Sequence, residues 1–112
     1  MIEHLFAAIP VADIGAATEW YERLLGRSPE LIPNDDEAAW RLTETAWIYL
    51  IADPAHAGSG LNTFLVEDLD ELLAELRARE IEASPIEPTG EAGRSAYVAD
   101  PDGNRLKLSQ VG

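Results

Sequence analysis

Tyr97-Val98-Ala99-Asp100-Pro101-Asp102-Gly103-Asn104-Arg105-Leu106-Lys107-Leu108 reads as two short strands joined by a turn. Pro101 presets a turn backbone, Asp100 and Asp102 can accept hydrogen bonds from nearby backbone N–H groups, and Gly103 tolerates a positive φ. After the turn, Arg105, Leu106, Lys107 and Leu108 alternate, which directs the leucines to one side of a sheet and the cations to the other. What lies opposite those cations bears on function.

Outward from this hairpin the chain falls into two similar halves. Leu5 to Val11 alternates as a strand, with Leu5, Ala7, Ile9 and Val11 on one face and His4, Phe6, Ala8 and Pro10 on the other. Asp13 is placed to cap a helix carried by Ile14, Ala17, Tyr21, Leu24 and Leu25, which Gly26 ends and Pro29 keeps from resuming. Pro33 to Glu37 reads as a polar loop, followed by strands over Ala38 to Leu42 and Ala46 to Ala52. Trp47, Tyr49 and Ile51 share a face of the second strand, with Ile48 and Leu50 behind, so both faces are expected to be covered.

After a Pro- and Gly-containing loop from Asp53 to Gly60 the pattern restarts. Val66, Asp68, Leu69, Leu72 and Leu76 follow Val11, Asp13, Ile14, Ala17 and Tyr21 at a constant offset of half the chain. Asp68 and Glu71 form an Asp-x-x-Glu capping box ahead of a Leu69, Leu72, Leu73, Leu76 stripe, and Glu75 and Arg79 pair on its solvent side. Pro85 to Gly93 reads as a loop. The expected organisation is one α+β domain over residues 1–112, built from two βαβββ halves at about 1–55 and 56–112.

The hairpin, the repeat, and the Val11-Ala12-Asp13 phrase leading through Trp20-Tyr21 to Leu24-Leu25-Gly26 resemble the vicinal oxygen chelate superfamily, which holds glyoxalase I, extradiol dioxygenases and bleomycin resistance proteins. The resemblance covers nearly the whole chain. It implies two βαβββ modules whose curved mixed sheets form a cup around a ligand, and a homodimer that covers sheet edges and apolar surface. In metal-dependent members the fourth residue after the turn glycine is usually a Glu ligand; here it is Lys107, whose ammonium only donates. The other three ligand positions correspond to Phe6, Tyr49 and Leu61. None of the four is a His, Asp or Glu, so no cluster with ligand chemistry stands at these positions and no metal and no cofactor is expected.

His4 shares a face with Phe6, and a two-residue shift in the correspondence would move it into a ligand position. A single imidazole falls short of the three protein groups a divalent site needs. His56, in the mid-chain loop, is expected to face solvent. On the expected faces, Phe6, Ala8, Trp47, Tyr49, Leu61, Thr63, Leu65, Arg105 and Lys107 wall the cup, an apolar and aromatic lining with few polar groups. Trp40 and Tyr97, at similar places in the two halves, stack on a ligand or pack at the rim. Arg105 and Lys107 either pair with surface carboxylates or, in the case of Lys107, enter the cup to meet a carboxylate, phosphate or phenolate. The ligand-binding set is therefore Phe6, Trp40, Trp47, Tyr49, Leu61, Thr63, Tyr97, Arg105 and Lys107, with no assigned catalytic residue.

Composition narrows the function classes. Eight Lys and Arg against 21 Asp and Glu give a net charge of -13, a field that repels nucleic acid. Hydrophobic residues make up 46%, enough for a packed core, yet no run approaches the ~20 apolar residues of a membrane span. Cysteine is absent, which removes disulfides, thiolate nucleophiles and Cys-ligated zinc, and no Ser-His-Asp set or phosphate-binding glycine loop stands out. Met1 to His4 lacks the basic start of a signal peptide, so a cytoplasmic location is expected.

The first expectation is a metal-free binding protein that sequesters a small aromatic or amphipathic molecule. The alternative is a metal-dependent lyase, isomerase or dioxygenase with a displaced site around His4 and Glu3 or another carboxylate. A third reading is a self-filled cup serving as an oligomerisation or partner-binding module.

Overall fold

The structure is a computed structural model that describes residues 1–112. Eight strands and two helices follow in the order β1 (Leu5–Val11), α1 (Ile14–Leu25), β2 (Leu31–Asn34), β3 (Glu37–Arg41), β4 (Ala46–Ala52), β5 (Leu61–Leu65), α2 (Leu69–Ala78), β6 (Glu87–Thr89), β7 (Gly93–Ala99) and β8 (Arg105–Gln110). They form two compact units. The first comprises Met1–Gly60 with Asp100–Asn104, and the second Leu61–Ala99 with Arg105–Gly112.

Each unit is a four-stranded mixed sheet, ordered β1-β4-β3-β2 in the first and β5-β8-β7-β6 in the second, with one parallel pair at one edge. The α+β class and the twofold βαβββ pattern match the sequence reading. Asp13 caps α1, its Oδ1 accepting from Ala16 N at 3.1 Å, and Asp68 caps α2 by accepting from Glu71 N at 3.0 Å. Gly26 ends α1 in the left-handed conformation at φ 75°. The Glu75–Arg79 pair is present at 3.5 Å.

Two stretches read as loops contain strands instead. Pro33 and Asn34 lie in β2 and Glu37 opens β3, which leaves only Asp35 and Asp36 as the turn; likewise Glu87–Thr89 form β6 and Gly93 opens β7. The reason lies in strand order. β2 and β6 are edge strands, where Pro33 and Pro88 need no backbone N–H on the unpaired side.

The helix-covered face of the first sheet carries its core: Ile9, Val11, Ala38, Trp40, Ile48 and Leu50 are buried beneath Ala17, Trp20, Tyr21 and Leu24 of α1. Trp20, absent from the stripe expected for α1, packs edge-on against Tyr21 with ring centroids 4.8 Å apart. In the second unit Leu69 and Leu76 of α2 are buried, as are Ala96, Val98, Leu106 and Leu108 of the sheet.

The turn Asp100–Asn104 packs as part of the first unit. Asp100 Oδ1 accepts from the backbone N–H groups of Asp102 and Asn104, and Asp100 Oδ2 accepts from the Tyr21 hydroxyl and the Asn104 amide, each at 2.8 Å. Asn104 donates also to Pro10 O and accepts from Gly60 N. Gly103 takes φ 96° as its place in the turn requires. Gly58, at φ 90°, leaves room for the backbone of Asp102: a Cβ there would sit 2.3 Å from the Asp102 carbonyl oxygen.

Candidate functional site

Strand register decides which side chains leave the helix-covered core. In the first sheet Phe6 aligns with Trp47, Trp47 with Arg41, and both Ala8 and Ala39 with Tyr49. These residues share the helix-free face, as the alternation of β1 and β4 predicts. Phe6 stacks on Trp47 with centroids 5.2 Å apart and planes inclined by 15°, and the Arg41 guanidinium lies 5.8 Å from the Trp47 ring on the other neighbouring strand. Arg41 is held by the carbonyls of Thr43 and Glu44. The outcome is a row of three stacked groups across the sheet. Its end, Phe6, is 49% exposed and offers a free aromatic surface.

Within that row the Trp47 indole N–H is buried without an acceptor. Trp47 and Tyr49 are half-buried, so the helix-free face is only partly covered, where full cover on both sides of β4 was expected.

Trp40 departs from the expected set. It aligns with Ile48 on the helix-covered face, is 0% exposed, and donates its indole N–H to Arg27 O at 3.0 Å. It belongs to the core and presents no surface to a ligand. Tyr97 aligns with Lys107 on the helix-free face of its own sheet, as Ala39 does with Tyr49, so Trp40 stands one residue from the position equivalent to Tyr97 and faces the opposite way.

In the second sheet Leu61 aligns with Arg105, Thr63 with Lys107, and Leu65 with Ser109. These residues, with Tyr97, share the helix-free face. The Arg105 guanidinium lies 5.4 Å from the centroid of the Tyr97 ring. A concavity of about 410 Å³ opens beside them, lined by Thr63, Leu65, Thr89, Glu91, Lys107 and Ser109 among others.

A ladder of hydroxyls underlies this concavity. Thr89 donates to Ser95 at 2.6 Å, and Ser95 and Ser109 share a hydrogen bond at 2.7 Å. Sequence reading missed these three, although the two-residue period from Lys107 to Ser109 would have placed Ser109 on the same face. Thr89 lies in β6, within the Pro85 to Gly93 stretch whose composition predicts a loop.

Phe6, Tyr49, Leu61 and Lys107, expected at the four ligand positions, include no His, Asp or Glu, and no three His, Cys, Asp or Glu side chains are grouped to hold a metal ion. His4 and Glu3 are exposed ahead of β1. His56 is exposed and paired through Nδ1 with Asp53 at 2.9 Å.

Paired βαβββ units, each with a mixed sheet and a single helix, define a vicinal-oxygen-chelate type of fold. The glyoxalase/bleomycin resistance protein/dioxygenase superfamily profile matches residues 2–108, and the chain belongs to that superfamily. A glyoxalase/bleomycin resistance protein from Catenulispora acidiphila DSM 44928 is similar at 38% identity and TM-score 0.91, over 97% of this chain and 98% of that one. Two more distant structures share the fold. A bleomycin-binding protein complexed with bleomycin has 20% identity and TM-score 0.80, over 97% of this chain and 98% of its own. An antibiotic-binding protein from Streptomyces sp. CB03234 has 22% identity and TM-score 0.81, over 100% and 98% respectively. No curated protein matches the sequence. No helix is long and apolar enough to cross a membrane.

Proposed function

We propose that this chain is a metal-free binding protein that sequesters a small aromatic or amphipathic molecule against the helix-free faces of its sheets. The observation that carries the reading is the chemistry of the four ligand positions, where Phe6, Tyr49, Leu61 and Lys107 replace metal donors with apolar, aromatic and cationic groups. Exposed Phe6, Leu61 and Leu65 supply the apolar area such a ligand needs. The antibiotic-binding relatives described above are consistent with this use of the fold.

Calorimetric titration of the chelator-treated protein with a neutral aromatic probe, 2-naphthamide, tests the proposal. Saturable binding without added metal is expected. Binding that appears only when a divalent metal is restored, or conversion of the ligand, would overturn it. The same proposal includes a homodimer, since Ile2, Leu5, Leu31 and Ile32 are exposed and β2 is an edge strand. Light scattering at micromolar concentration should return twice the chain mass, and a monomer mass would remove this part.

A further inference from the structure

Lys107 is the only lysine in the chain, and it stands partly buried in the concavity of the second unit without a hydrogen bond or ion pair. This is unusual for a sequence with 21 acidic residues. Three of the seven arginines pair with them, Arg27 with Glu30, Arg79 with Glu75, and Arg94 with Asp70. Of the two outcomes expected for Lys107, a structural ion pair or an anchor for an anion, the ion pair is not formed.

The surroundings are those of an anion site. Thr89 gives its hydroxyl proton to Ser95. Ser95 and Ser109 share a hydrogen bond in which either hydroxyl can donate; the arrangement in which Ser95 donates leaves the Ser109 proton for an acceptor in the concavity. Thr63 sits directly across from Lys107, and Arg105 lies one side-chain step along β8 on the same face. Leu65 and Val111, both largely exposed, form an apolar end.

Glu91 also borders the concavity, but it is exposed and makes no pair with Lys107. The net charge of -13 repels anions at a distance. Over about 8 Å at physiological ionic strength that field is screened, so groups in contact with the ligand decide its sign.

Resting on the binding function proposed above, we infer that the ligand of this site is a small amphipathic anion. Its carboxylate or phenolate oxygen meets the Lys107 ammonium and the Ser109 hydroxyl, and its apolar body lies toward Leu65 and Val111. A charge-assisted contact of this kind corresponds to a preference of about 10- to 100-fold over a neutral isostere.

The test compares 2-naphthoate, 2-naphthamide and 2-naphthylmethylammonium by calorimetric titration of the wild type, Lys107→Met and Lys107→Arg. The wild type should bind naphthoate at least 10-fold more tightly than naphthamide, and the ammonium compound most weakly. Lys107→Met should lower naphthoate affinity at least 10-fold more than naphthamide affinity, and Lys107→Arg should keep most of the difference. Equal affinity for naphthoate and naphthamide in the wild type overturns the anion inference and leaves the binding function standing. Failure of all three compounds to bind overturns both. A loss shared equally by naphthoate and naphthamide in Lys107→Met also contradicts the anchor. Because the wild-type ratio alone decides the sign, the test survives a variant that folds poorly.

Discussion

The Tyr21 hydroxyl donates to Asp100 Oδ2 at 2.8 Å in a buried site, tying α1 to the turn that follows β7. Burial, then the Asp100 charge and the hydrogen bond to it, raise the Tyr21 phenol above its ordinary value of 10.0. The folded chain therefore keeps a proton that the unfolded chain releases near pH 10. The associated stability is fully present below that pH and is lost as pH climbs above it. Tyr21→Phe should lower stability at neutral pH by about 1.5–3 kcal/mol, the range for a hydrogen bond to a charged group. It should also make the alkaline decline shallower, both readable from urea denaturation at stepped pH. An unchanged alkaline limb would show that Tyr21 is not its source.

Asn104 provides the sharper test of the same turn. Its amide donates to Pro10 O and Asp100 Oδ2, so Asn104→Asp removes both donations and sets a second carboxylate against the first. A loss of about 3–5 kcal/mol is expected, as for an uncompensated buried charge. Denaturation that recovers the lost stability near pH 3 relative to pH 7 would identify charge repulsion as the cause. A loss below 1 kcal/mol at pH 7 would contradict the network.

Much of this architecture was legible because local chemistry and global fold agree. Asp13 and Asp68 announce two helix starts at equivalent places, and Gly26 and Gly103 sit where positive φ is required. What sequence hid was governed by neighbours. Pro33 and Pro88 signal loops until it is known that their strands lie at sheet edges. Trp40 has the composition of a binding residue, and only its alignment with Ile48 assigns it to the core. The helix-free faces were readable as alternation along β1, β4 and β8, whereas the hydroxyl ladder depends on pairing among β6, β7 and β8, which no single strand reveals.

Phe6 and Trp40 should therefore behave in opposite ways. Phe6→Ala removes an exposed stacking surface, so a 2-naphthamide molecule held on the first sheet should lose about 0.5–1.5 kcal/mol of affinity with little change in melting temperature. Trp40→Phe removes buried volume and the bond to Arg27 O, so stability should fall by about 2 kcal/mol with ligand affinity intact. Calorimetry and denaturation on both variants check the contrast. Reversal of either outcome would mean that the strand faces are misassigned.

Metal dependence gives an independent check. A specific metal at a hundredfold excess over its dissociation constant would add about 2.7 kcal/mol to stability. Melting curves with Zn, Ni, Mn and Fe(II) should show no such gain, and elemental analysis should find no stoichiometric transition metal. One equivalent of metal, lost on His4→Ala, would favour a displaced catalytic site.

The most direct measurement is a map of amide chemical shifts during titration of the chelator-treated protein with 2-naphthamide. The account predicts saturable shifts centred on the helix-free face of either sheet, at Phe6, Trp47 and Tyr49 or at Thr63 and Lys107, with α1 and α2 unaffected. Shifts confined to the helices, no saturable response, or a response that requires added metal would contradict it.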